Sequence, residues 1–165
     1  MKKELAYFNI EGEYGGNQNW FYDPMMRLGG CAAIATCDLC IYLNLYRENK
    51  HLYPFNIDSL QKKDYIKFSK IMKKYLHPRV KGINTLQLYI DGFSSYLYDI
   101  NDEEIKMEPF SGENSVYDGE KIVVNQIEKE IPIPFLLLKH KNKKLNEFVW
   151  HWFLIVGYEK TEDDL

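Results

Sequence analysis

Leu28-Gly29-Gly30-Cys31-Ala32-Ala33-Ile34-Ala35-Thr36-Cys37-Asp38-Leu39-Cys40-Ile41-Tyr42-Leu43 is the stretch that decides how this chain is read. Two glycines punctuate it. From Cys31 to about Tyr46 the periodicity is helical, with Ala and Leu prominent. A cysteine therefore stands at the start of a helix, directly after a flexible turn. Helix N-termini carry partial positive charge and free N–H groups. That setting favours a thiolate and lowers a cysteine pKa. The glycines let a substrate approach the backbone closely, and the Cys31 N–H is placed to stabilise an oxyanion. Taken alone, a helix-start cysteine is more often simply buried.

Cys37 and Cys40 complete the count of three cysteines. An odd number argues against a disulfide framework. Cys37-x-x-Cys40 has no second pair or nearby histidine to complete a zinc site. Both fit the apolar helix as core residues. His51, His77 and His140 share no metal-ligand spacing, which leaves His151 as the histidine of interest.

His151 lies within Glu147-Phe-Val-Trp-His-Trp-Phe-Leu-Ile-Val-Gly-Tyr158, a strand by composition. Alternation places Val149, His151, Phe153 and Ile155 on one face and Trp150, Trp152, Leu154 and Val156 on the other. A rigid strand is a good mount for a base that must meet a thiol at fixed distance. Upstream, Gln18 in Gly15-Gly16-Asn17-Gln18-Asn19-Trp20-Phe21 is a side-chain amide able to donate to an oxyanion. Asn17 and Asn19 compete for that part.

At 165 residues and 45% hydrophobic content the chain has enough apolar material for one domain with a real core. Its 21 basic and 24 acidic residues give a net charge of −3, so no basic field attracts nucleic acid. The basic runs Lys62-Lys63, Lys73-Lys74 and 139–144 read as solvated faces or loop tips. No run reaches the length of a membrane span. The N-terminus has no apolar run behind its lysines, so it is not a signal peptide, and a cytoplasmic location is expected.

Outward from the two stretches, the first 30 residues read as loop. A helix is expected over 58–76, capped by Asp58 or Ser59 and ended by His77-Pro78. Further helices are expected over 84–98 and 119–130, with a short strand over 104–109. Strands over 133–139 and 147–158, joined by a polar turn at 140–146, make a hairpin. Helices come first and strands last, an α+β layout.

Gln18, then Cys31 at a helix start, then His151 on a strand before Gly157-Tyr158, is an order that resembles the papain-like cysteine peptidase superfamily. Among its branches the chain looks most like the bacterial C39-like peptidases. The resemblance implies N-terminal helices packed on a C-terminal antiparallel sheet, in one domain over 1–165, with no cofactor. It implies a two-step acyl transfer on a peptide or amide substrate. The Cys31 thiolate attacks a carbonyl, and His151 takes and returns the proton. Gln18 and the Cys31 N–H would hold the oxyanion. Family members carry an Asn or Asp beyond the histidine to orient it, and the candidates here are Asp163 and Asp164. A silent papain-like domain that binds peptides or a protein partner is the alternative, its groove lined by Trp20, Phe21, Trp150 and Trp152. A Cys-dependent acyltransferase shares the same Cys-then-His order. An unrelated α+β binding module would instead leave Cys31 and His151 far apart.

Overall fold

The computed structural model describes residues 1–47 and 51–161. Helix α2 (Cys31–Tyr46) forms where the periodicity places it, after a short helix α1 (Pro24–Gly29). All of residues 31–43 are buried. A helix that is apolar all round has no solvent face and must be covered on every side. The remaining elements do that covering. Helix α3 (Lys62–Met72) buries Tyr65, Phe68, Ser69 and Met72, spaced as one helical stripe. Helix α4 (Leu86–Asp99) buries Tyr89, Gly92, Phe93, Tyr96 and Leu97 in the same way. Helix α5 (Val116–Glu128) contributes Ile127.

The strands are β1 (Lys2–Glu4), β2 (Asn9–Ile10), β3 (Glu13–Tyr14), β4 (Ile133–Leu137), β5 (His151–Ile155) and β6 (Gly157–Glu159). They form three two-stranded antiparallel sheets: β1 with β6, β2 with β3, and β4 with β5. The class is α+β, but the expected order of helices first and strands last is corrected. The N-terminal strand closes on the last one, with Lys3 opposite Tyr158. The first 30 residues, expected to be loop, carry three strands, a 3-10 turn at Gln18–Trp20 and α1. Asp23 organises the last of these. Its Oδ1 accepts from the Met25 N–H at 2.9 Å, and its carboxylate pairs with Lys73 beyond α3.

Helix boundaries shift for local reasons. The helix expected over 58–76 shrinks to α3, and Asp58 does not cap it. The Asp58 N–H is itself taken by Asn56 Oδ1 at 3.0 Å, in a turn. Thr85 caps α4 by accepting from the Leu88 N–H, and Ser115 caps α5 by accepting from Asp118. The strand expected over 104–109 is absent. Asp102 Oδ1 takes the N–H groups of both Glu104 and Ile105 at 3.1 Å, which turns the backbone away from a ladder. The strand expected over 147–158 begins later, because Lys143–Phe148 is a 3-10 turn. It also divides at Val156 between β5 and β6.

Strand β5 is fixed by Trp152. Its ring stacks on Tyr89 of α4 at 4.3 Å between centroids. Its Nε1–H donates to the Ile83 carbonyl at 2.6 Å. Tyr89 in turn meets Thr36 of α2 at 2.7 Å between hydroxyls. One buried chain of contacts thus runs from the histidine strand through α4 to the centre of α2.

Gly29 and Gly30 have a structural reason to be small. A Cβ on Gly29 would lie 2.7 Å from the Arg79 carbonyl oxygen, and one on Gly30 would overlap the Met26 carbonyl oxygen. The space that a side chain would need at these glycines is filled by the chain's own backbone. Gly30→Ala is expected to destabilise the protein by about 1–3 kcal/mol, the usual result of overpacking; urea unfolding measures it. Trp152→Phe should keep the stacking but leave the Ile83 carbonyl unpaired, with a loss of about 1–3 kcal/mol in the same assay.

Candidate active site and the adjoining cleft

Cys31 is the first residue of α2, and β5 lies against that helix. The backbone N–H groups of Trp152, Ala32 and Cys31 itself are near enough to favour its ionised form. The first comes from the residue that follows His151. The helix that opens on Cys31 and the strand that opens on His151 therefore pack against each other.

The electrostatics differ from the expectation. Cys31 is only 6% exposed. Burial pushes its thiol up, and the three N–H groups only partly offset this. Burial also pushes the half-buried His151 imidazole below its usual range. Both shifts favour the neutral forms. Among the described residues no hydrogen bond joins the Cys31 sulfur to the His151 ring, and no acidic group moves the His151 pKa. Neither shift favours a preformed thiolate–imidazolium pair.

Gln18 is close by in sequence but already committed. Its Nε2 donates to the carbonyls of Met26 and Arg27, each at 2.8 Å. A side-chain amide has two N–H hydrogens, and both are used to tie the 3-10 turn to α1. The N–H groups around Cys31 are the donors present at the sulfur. Of the expected groove residues, Trp20, Phe21 and Trp152 are core residues at 8%, 4% and 2% exposure. That corrects their reading as groove. Trp20 packs edge-on against Tyr65. Trp150 alone of the four is exposed, at 50%, with a positive φ of 65°. Asp163 and Asp164 lie outside the described residues.

A cleft of about 250 Å³ opens beside His151. Tyr7, Ile34, Asp38, Leu154 and Val156 are among the residues that line it. Asp38 stands seven residues after Cys31, two turns along the same face of α2 and about 10 Å up its axis. Its Oδ1 accepts from Tyr65 Oη at 2.7 Å, its Oδ2 from Tyr7 Oη at 3.0 Å, and both oxygens are reached by the Gly16 N–H. No ion pair to Asp38 occurs among the described residues. Burial raises its pKa from 3.8 to about 6, against the lowering effect of the three donors. Sequence reading passed over Asp38, although a carboxylate in an otherwise apolar helix was a visible signal. Tyr7, Gly16 and Tyr65 gave none, because their roles exist only through contacts with Asp38.

No family model, curated protein or solved structure matches the chain.

Among the described residues no helix is long and apolar enough to cross a membrane. Because the folded pKa of Asp38 lies above its unfolded value, its contribution is fully present below about pH 4 and is lost as pH rises through about 6. The size of that shift corresponds to about 3 kcal/mol. Asp38→Asn keeps an acceptor for the Gly16 N–H and removes the charge. Relative to wild type it should gain stability by up to that amount between pH 4 and pH 7.5, measured by urea unfolding at both values.

Proposed function

We propose that this chain is a papain-like thiol hydrolase of the C39-like kind, acting on a peptide or amide bond through Cys31 and His151. The observation that carries the reading is the packing of α2, which opens on Cys31, against β5, which opens on His151. The neutral pair fits general-base chemistry. As a carbonyl carbon approaches, the Cys31 Sγ–C bond forms and the thiol proton passes to His151. The imidazolium then gives that proton to the leaving amine, and water cleaves the acyl-enzyme. N–H groups at the start of α2 would take the oxyanion. A cytoplasmic location and the absence of a nucleic-acid partner belong to the same proposal.

A second reading has its own support. With the Gln18 amide fully engaged and Cys31 buried, the same scaffold could serve as a silent peptide-binding module. Alkylation by iodoacetamide across pH, with Cys31→Ser and His151→Ala controls, separates the two. A hydrolase should label at Cys31. Its rate should climb as His151 loses its proton below pH 6.5, level off, and climb again only when the buried thiol ionises. His151→Ala should remove the plateau, slowing labelling at neutral pH by about 10²-fold or more. Labelling that is absent from the native protein, or identical in His151→Ala, would sink the hydrolase reading and leave the binding module.

A further inference from the structure

Asp38 presents a buried carboxylate with no cationic partner among the described residues. Buried charges in folded proteins are paired or bound to a cation, because an isolated one is costly to desolvate. Tyr7, Tyr65 and Gly16 supply three hydrogen-bond donors but no charge. Each carboxylate oxygen is met by two of these contacts, so what the site lacks is compensating charge rather than a hydrogen-bond partner. The carboxylate borders the 250 Å³ cleft, whose other walls include Ile34, Leu154 and Val156. Aliphatic side chains on one part of the lining, with a carboxylate and the Tyr7, Tyr14 and His151 side chains on the rest, suit a molecule of mixed polarity: an aliphatic stem carrying a cationic head.

We infer that the cleft between α2 and β5 is a binding site for a primary ammonium on a short aliphatic stem, with Asp38 as the counter-ion and Ile34, Leu154 and Val156 around the stem. His151 also lines this cleft, so an occupant lies beside the candidate base. That the occupant is a lysine side chain of a substrate rests on the hydrolase reading; that the cleft takes an alkylammonium does not. The α2 register sets Asp38 two turns from Cys31, a distance that a side chain adjacent to a bond attacked at Cys31 can bridge.

The test uses n-butylammonium, n-butanol and butyrate as probes of one stem with three heads. Binding is followed at pH 7.5 by chemical shifts of the Gly16 N–H and of the Ile34, Leu154 and Val156 methyls. Butylammonium is expected to shift these resonances and to bind at least roughly tenfold more tightly than butanol, the worth of a charge-assisted hydrogen bond. Butyrate should not bind. Asp38→Asn should reduce the amine to the level of the alcohol. Cys31→Ser should bind as wild type does, so that a protein without turnover can still possess the site. Equal binding of amine and alcohol by wild type, no response to the amine, or an amine preference that survives in Asp38→Asn overturns the inference. The comparison of heads in wild type does not depend on any variant folding.

Discussion

Everything in this fold answers to one constraint: α2 is apolar around its whole circumference and must be enclosed. A helix with a polar face could rest on a sheet and leave its back to water. This one, buried from Cys31 to Leu43, needs cover from both ends of the chain. The wrapping of the N-terminal segment across α2 answers that need, while β1 closes on β6 beside α5. Tyr7 and Gly16 reach Asp38 from that segment, and Tyr65 reaches it from α3. Gly16 has to be glycine for the same reason, since a Cβ there would overlap the Tyr65 hydroxyl. The enclosing elements are thus held to the central helix by a polar contact as well as by apolar area.

Enclosure decides the electrostatics of the site. Two effects act on the Cys31 thiol with opposite sign. The free N–H groups at the helix start favour the thiolate, an influence worth up to about 2 kcal/mol in partly buried geometry. Desolvation disfavours it, and here desolvation is the larger. The same loss of water disfavours the His151 imidazolium. Helix position alone therefore does not make a cysteine reactive; exposure sets which term wins. In the proposed hydrolase an incoming electrophile would change the balance, because proton transfer to His151 would create the thiolate only as it is consumed.

Legibility in the sequence followed the strength of the local pattern. Helix α2 was readable because its apolar run has few alternatives, and β5 because alternating aromatics and β-branched residues fit a pleated surface. Cys31 and His151 were found as side chains of known chemistry on those two elements. The first 30 residues were misread because their glycines look like loop punctuation. Gly29 and Gly30 are small instead to admit the backbone at Arg79 and Met26, a tertiary demand that leaves no local trace. Trp20, Phe21 and Trp152 were assigned to a groove for their size, yet large aromatics serve cores equally well. The Trp152 N–H at the sulfur could not be read from side-chain identity at all, since every residue but proline carries the same group.

Asp38 joins these two lines of argument. A carboxylate is a poor choice for the middle of an enclosed helix, and an amide there would accept from Gly16 without a charge to desolvate. Hydrogen bonding of the N-terminal segment therefore does not account for the charge itself. The cost falls on the folded state as Asp38 ionises above about pH 6, and the three donors offset it only in part. A cation beside Asp38 would relieve that cost where the segment carrying Gly16 meets α2. A ligand in the cleft would act on the Cys31 end of the helix through its position beside His151.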